Sequence, residues 1–349
     1  MRLRQLNRWE IFLLVILVAL CIIQYLLIAR NTFNSIPSPW QVSEKSPEFS
    51  FVTTYKLTDI SRREDGEHQF FLILRDNSLI YYKGIANILY ANYSLNRLNL
   101  LTGEFEWQQK QERPVSGIAN NEHIIFFTHN TYTTPRYSGQ TLTRPGAILV
   151  TAHDIDSGNQ LWSTVYEGFA GTSYMRTSES QILIGGHNGH GAYTDETVLN
   201  VGTGEILEGE DGGKVGTDIA LQVTENLPTY NHMAELTDNV VVLAHSPIIA
   251  YDLKIDSIVW QTEINRSFSN IVVSNNVIYF LDDKAILWAL DGQTGAALGH
   301  VQFGPVDPGR AEPFGNYGGY SIVADGTGVA LYFSETHQLF FFHFVRGDE

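Results

Sequence analysis

The chain has 349 residues, 44% of them apolar and only 17% charged, with 30 Gly, 17 Tyr, 19 Phe and 6 Trp. That balance excludes a disordered, coiled-coil or helical-repeat protein and favours strands. Acids outnumber bases by 38 to 22 for a net charge of −16, which excludes a nucleic-acid binder with its basic face, and the single Cys excludes an intramolecular disulfide, a Cys-rich zinc site and an iron–sulfur cluster.

Ile11 to Ala29 is a continuous apolar run in which only Gln24 and Tyr25 are notably polar. Its 19 residues would span about 28 Å as a helix, close to the thickness of the hydrocarbon layer. Arg2, Arg4 and Arg8 precede it, Trp9 sits at the expected interface, and only Arg30 follows closely. The positive-inside rule then predicts residues 1–10 as a short cytoplasmic tail, 11–29 as an uncleaved transmembrane anchor, and the remainder as extracytoplasmic. A cleaved signal peptide would need a shorter apolar region and a small-residue cleavage site. A lipoprotein would want a small residue before Cys21, where Leu20 stands.

Residues 30–48 contain Pro37, Pro39 and Pro47 and read as a stalk. Without the four Arg and one Glu of residues 1–30, 18 bases remain against 37 acids, a charge of −19. Such a domain stays soluble and repels anionic surfaces.

Residues 49–349 carry an internal repeat. Its copies are Asn99-Leu-Leu-Thr-Gly103-Glu-Phe-Glu-Trp107, Asp154-Ile-Asp-Ser-Gly158-Asn-Gln-Leu-Trp162, Asn200-Val-Gly-Thr-Gly204-Glu-Ile-Leu-Glu208, Asp252-Leu-Lys-Ile-Asp256-Ser-Ile-Val-Trp260 and Asp291-Gly-Gln-Thr-Gly295-Ala-Ala-Leu-Gly299. In each, an Asx side chain can accept hydrogen bonds from nearby amides. The turn Gly supplies φ > 0. The Trp four residues later is expected to pack between neighbouring sheets. The fourth copy has Asp256 for Gly, and the third and fifth lack Trp. Strand-like runs precede every turn: Ile124-Ile-Phe-Phe and Ala147-Ile-Leu-Val, Ile182-Leu-Ile, Val240-Val-Val-Leu and Ile248-Ile-Ala-Tyr, Val277-Ile-Tyr-Phe and Ile286-Leu-Trp-Ala-Leu, then Val329-Ala-Leu-Tyr-Phe. The turns are 39 to 55 residues apart, so each unit holds about four short strands. This spacing predicts an all-β propeller of about six four-stranded blades, or seven if an irregular one occupies residues 58–95. The last run, Gln338 to Phe344, has no strand after it. Phe49 to Leu57 has the alternation to complete that blade.

The Ala-Tyr-Asp252 and Ala-Leu-Asp291 strands, the Thr-Gly pairs at Gly103, Gly204 and Gly295, and Trp107, Trp162 and Trp260 together resemble the PQQ-like repeat of quinoprotein dehydrogenases and BamB-type assembly lipoproteins. The resemblance covers roughly residues 50–345. It implies a propeller whose members include enzymes, scaffolds and sensors. The alcohol-dehydrogenase branch would call for an adjacent Cys pair near the quinone, and this chain's one Cys lies in the anchor. The non-catalytic branch is therefore the expectation, with no cofactor.

Local motifs add little chemistry. His187 and His190, in the Gly-rich segment from Gly185 to Tyr193, are the only metal candidates, and they read first as surface His on a polar loop. His129, His153, His232 and His245 read as core-edge or pore-lining residues. Asp211 to Asp218 lacks the order of a calcium loop, and Asp282-Asp283 reads as a turn at a strand end. Asn92 and Asn265 open N-glycosylation triplets. Asn130 to Pro145, with Arg136 and Tyr137, and Pro305 to Pro313 are long inter-strand insertions of the kind that form contact surfaces on a propeller rim.

The expectation is a membrane-anchored extracytoplasmic propeller that binds a protein partner on its rim, contacts the lipid bilayer through residues 11–29 and does not bind nucleic acid. Its role would be a scaffold or assembly module. The alternative is a quinoprotein-like oxidoreductase or a metal-dependent enzyme using the propeller channel.

Overall fold

The computed structural model describes residues 39–58, 60, 72–86, 91–112, 115, 117–130, 147–167, 171–177, 179–187, 193–207, 233–237, 239–244, 247–265, 269–306 and 319–346. The anchor at 11–29 lies outside these residues, and among those described no helix is long and apolar enough to cross a membrane. The described chain is built of antiparallel strands arranged as a β-propeller.

The first two strands, β1 (Trp40–Lys45) and β2 (Phe49–Lys56), join sheets formed by the far end of the chain. A first sheet follows: β3 (Leu72–Arg75), β4 (Ser78–Ala86), β5 (Ala91–Asn99) and β6 (Phe105–Gln111), paired in chain order. The second is β7 (Gly117–Asn120), β8 (Ile124–Asn130), β9 (Ala147–Asp154) and β10 (Gln160–Glu167). The third has β11 (Gly171–Thr177), β12 (Gln181–His187) and β13 (Tyr193–Asn200). The fourth is β14 (Met233–Thr237), β15 (Val240–Ala244), β16 (Ile248–Asp252) and β17 (Ser257–Thr262). The fifth is β18 (Val272–Ser274), β19 (Val277–Leu281), β20 (Ile286–Asp291) and β21 (Ala297–Pro305), with β1 added outside β21. The last is β22 (Tyr320–Ala324), β23 (Val329–Phe333) and β24 (Gln338–Phe344), with β2 added outside β24.

Two expectations need correction. The sheets are not uniformly four-stranded, because one has five strands and one has three. Outside β13 of the three-stranded sheet, pairing among the described residues consists of the Leu199–Ile206 bridge and hydrogen bonds from Leu207 N to Val198 O and from Asn200 N to Glu205 O. Nor is the segment 30–48 stalk throughout. Trp40 to Lys45 pairs with Pro305 to Val301 as a true strand. Its burial shows why: the Trp40 ring stacks on Phe333 at 5.3 Å and is 9% exposed. The expected closing strand forms as read, with Phe49 opposite Phe344 and Lys56 opposite Gln338.

Five clusters of buried side chains fill the seams between neighbouring sheets. Tyr82, Leu95, Ile118 and Phe127 join the first sheet to the second. Phe126, Val150, Met175 and Ile184 join the second to the third. Val242, Trp260, Ile278 and Phe280 join the fourth to the fifth. Leu287, Val301, Leu331 and Phe342 join the fifth to the last. Leu79, Leu98, Tyr332 and Phe341 close the last on the first. Each such side chain contributes about 1.5–3 kcal/mol through removal from water.

The repeat motif locks these seams. The Asx at each turn accepts from the amides two and three residues on: Asn99 from Leu101 and Thr102, Asn200 from Gly202 and Thr203, Asp252 from Lys254 and Ile255, and Asp291 from Gln293 and Thr294. Asp154 accepts from Ser157. The turn Gly then lies under an aromatic ring from the preceding sheet. A Cβ added at Gly158 would stand 2.7 Å from Trp107, at Gly204 2.6 Å from Trp162, and at Gly295 2.4 Å from Trp260. Tyr55 of β2 takes the same place over Gly103. Ring and turn are also hydrogen-bonded: Trp162 Nε1 donates to Val201 O, Trp260 Nε1 to Gly292 O and Tyr55 Oη to Leu100 O.

The two departures from the repeat thereby explain each other. Glu208 stands where the third copy would have Trp, and the next turn has Asp256 with φ +53. Gly299 stands where the fifth would have Trp, and the next turn has His337 with φ +57. Where the preceding copy supplies no Trp, the turn residue needs only to tolerate the left-handed backbone, and Asp is among the residues that tolerate it best. At the second of these seams β1 substitutes: Trp40 N donates to Gln338 Oε1, and Gln338 Nε2 donates to Trp40 O, one residue from His337.

Candidate functional site: a polar cavity in the first seam

The seam between the first and second sheets is apolar at one end and polar at the other. Tyr82 and Phe127 pack at 6.1 Å in the apolar part. Beyond them opens a cavity of about 270 Å³ lined by Gln109, Gln111, His129, Thr151, His153 and Gln160, among others. Strand alternation turns Gln109 and Gln111 of β6 into the seam, half-buried, and leaves Lys110 and Glu112 exposed at the mouth.

The floor is a buried hydrogen-bonded chain. His129 and His153 are each 2% exposed and Thr151 is 4% exposed. His153 Nδ1 lies 3.1 Å from Gly158 O, which can only accept, so Nδ1 carries the ring proton. Burial pushes the imidazole down from its usual range, leaving Nε2 as an acceptor. Thr151 Oγ1, 3.3 Å away, therefore donates to it. His129 Nε2, 3.2 Å from the same hydroxyl, in turn donates to Thr151. Tautomers are thus assigned by the network, anchored on the Gly158 carbonyl. The edge of Phe127 packs on His153 at 5.5 Å and holds the ring in place.

Arg97 of β5 ties the same seam. Its guanidinium donates to Ile155 O and Asp156 Oδ1, and pairs with Glu106 at 2.6 Å. Arg97 occupies the carbonyl equivalent to those that receive Trp162 and Trp260, and the buried Trp107 Nε1 is left without a hydrogen-bond partner among the described residues.

Sequence reading took His129 and His153 as core-edge or pore-lining residues, and the structure buries both among hydrogen-bond partners. That reading did not foresee that β8 and β9, paired in register, bring them to one hydroxyl. The period-2 pattern His153, Thr151, Leu149 puts one face of β9 toward the seam, but only the sheet pairing places His129 opposite. Of the metal candidates, His187 ends β12 opposite Gly171 and Tyr193, and His190 lies outside the described residues. Among the described residues no three metal-ligating side chains converge. Asp282 is a turn residue as read. It is also fully buried, accepting from the Lys284 and Ile286 amides, Trp288 Nε1 and Asn265 Nδ2. Residues 131–145 of the Asn130 to Pro145 insertion, residues 307–313 of the Pro305 to Pro313 insertion, the segment 211–218, His232 and His245 lie outside the described residues.

Comparison with solved structures returns similarities at low identity. BamB from Moraxella catarrhalis is 11% identical over 85% of this chain and 100% of its own, with a TM-score of 0.32. A europium-containing methanol dehydrogenase is 10% identical over 74% of this chain and 53% of its own, with a TM-score of 0.32. A chain titled as the mitotic checkpoint complex is 9% identical over 87% of this chain and 97% of its own, at 0.47. No curated protein matches the sequence. The model of one family, described as the outer membrane protein assembly factor BamB, matches residues 94–298, from β5 through the Trp-and-Gly repeats to the fifth turn. The chain belongs to that family.

Proposed function

We propose that this protein is a membrane-anchored extracytoplasmic scaffold or assembly module, its six sheets the blades of one ring, which binds a protein partner without performing catalysis. Family membership carries the reading. The exposed outer strands support it: Phe105 of β6, Leu161 and Val165 of β10, and Ile258 and Val259 of β17 are all about half exposed. Apolar side chains on blade edges are contact material for a second protein. The Arg2, Arg4 and Arg8 cluster before the apolar run 11–29 supports an N-terminus inside and a propeller outside.

The test is crosslinking in intact cells followed by affinity recovery of the full chain, paired with Phe105→Ser, Leu161→Ser and Ile258→Ser variants. The expected result is one recurrent membrane-associated protein, lost with at least one variant. Recovery unchanged by all three variants would move the contact off the blade edges. Protection of the propeller from protease added to spheroplasts would overturn the location.

A further inference from the structure

We propose that the cavity between the first and second sheets binds one uncharged, polyhydroxylated molecule of monosaccharide size. The proposal stands apart from the assembly reading, since it concerns a small ligand held between two sheets rather than a protein on the edges.

Size is the first constraint. About 270 Å³ lies just under the ~300 Å³ at which drug-sized pockets begin, so a single ring with its substituents is the largest occupant.

Charge is the second. The inward-facing groups are two Gln amides, a Thr hydroxyl, two imidazoles and the apolar Leu149. The Gln amides and the Thr hydroxyl carry no formal charge, and His153, which accepts from Thr151 and donates to Gly158 O, is a neutral imidazole. A carboxylate or ammonium entering here would exchange water for neutral dipoles, which is unfavourable. Lys110 and Glu112 at the mouth carry opposite signs and favour neither.

Hydrogen-bond valence is the third. An apolar guest would strand Gln109 and Gln111. Each amide offers both donors and an acceptor, and each hydroxyl of a polyol offers one donor and accepting lone pairs, so a hydroxylated ring matches the lining without leaving a buried group unpaired. The floor is pre-organised: Gly158 is clamped beneath Trp107, and its carbonyl orients His153. A site that needs no ordering on binding loses little entropy when filled.

The test uses the full chain in a detergent without a sugar headgroup. Ligand-observed NMR titrations with D-glucose, D-galactose and D-mannose are compared with D-glucuronate and D-glucosamine. At least one neutral hexose should bind saturably and at least tenfold tighter than either charged sugar. Gln111→Leu, at a half-buried position, should weaken that binding at least tenfold with the fold intact by circular dichroism. Thr151→Val should do the same from the floor. Absence of saturable binding by all three neutral sugars would overturn the proposal. So would equal or tighter binding of a charged sugar, or an affinity unchanged in Gln111→Leu.

Discussion

Gly295→Ala tests whether the aromatic ring over each turn is what demands glycine there. Gly295 has φ +70, and an added Cβ would sit 2.4 Å from Trp260 Cε3 and 2.6 Å from Thr262 Oγ1. The left-handed backbone costs about 1–2 kcal/mol for a residue with a Cβ. Loss of unfolded-state freedom returns about 0.4–1 kcal/mol of that. The clash adds a second part. Trp260 is 8% exposed and its Nε1 bond to Gly292 O is 2.8 Å, so displacing the ring loosens a packed aromatic and breaks a hydrogen bond. That bond alone is about 1 kcal/mol. The expected total is about 2–4 kcal/mol, read as a lower unfolding midpoint. The assay is denaturant unfolding followed by circular dichroism, for Gly295→Ala, Trp260→Leu and the double variant. In the Trp260→Leu background Gly295→Ala should cost only its backbone share, giving a coupling of about 1–3 kcal/mol. Equal cost of Gly295→Ala in both backgrounds would refute the ring as the cause.

Trp40→Ala removes the ring stacked on Phe333 and should cost about 3–5 kcal/mol, measured by the same unfolding; a loss under ~1 kcal/mol would show that β1 does not substitute for the missing repeat Trp. A chain beginning at residue 58 loses β2 and leaves the edge of β24 bare, so it should aggregate in size-exclusion chromatography where one beginning at residue 39 stays soluble. Burial lowers the His153 pKa in the folded state, so the unfolded chain takes up the proton first. Stability should be full above about pH 6.5 and fall as pH drops below that value, and His153→Gln should flatten this slope in urea titrations at pH 5 to 7. The Asp291 carboxyl is held below its usual range: burial opposes ionisation, but the Thr294 hydroxyl and amide and the Arg346 charge outweigh it. Its contribution is present above about pH 4 and lost on further acidification, and Asp291→Asn should remove that part of the acid transition.

Much of the fold is legible because its signals are local. Asx, Gly and Trp at constant offsets mark turn, backbone conformation and packing residue within nine positions, and the runs before them alternate with period two. Phe49 to Leu57 is readable as the closing strand because a blade ending at Phe344 needs an outer neighbour. Trp40 to Lys45 was hidden by Pro37, Pro39 and Pro47, whose density suggests a stalk. Proline next to an edge strand is compatible with pairing, and what decides it is Phe333, nearly three hundred residues away. The cavity was equally hidden. Gln109 and Gln111 look like polar outer-strand positions, and His129 and His153 like isolated core-edge residues.

The sequence by itself determined the all-β propeller class, the turn chemistry and the strand that completes the last sheet, because each follows from interactions between residues close in the chain or from the period of a strand. Only the tertiary structure decided why the repeat departs from itself. Asp256 and His337 stand at turns whose preceding copy lacks Trp, and no short window of sequence shows that a ring from one sheet covers the turn of the next. It also decided the hydrogen-bonded floor of the first seam, since a partner for a buried imidazole is set by which strands pair and which sheets face each other. Those are long-range contacts, and the amino-acid pattern around either histidine carries no record of the other.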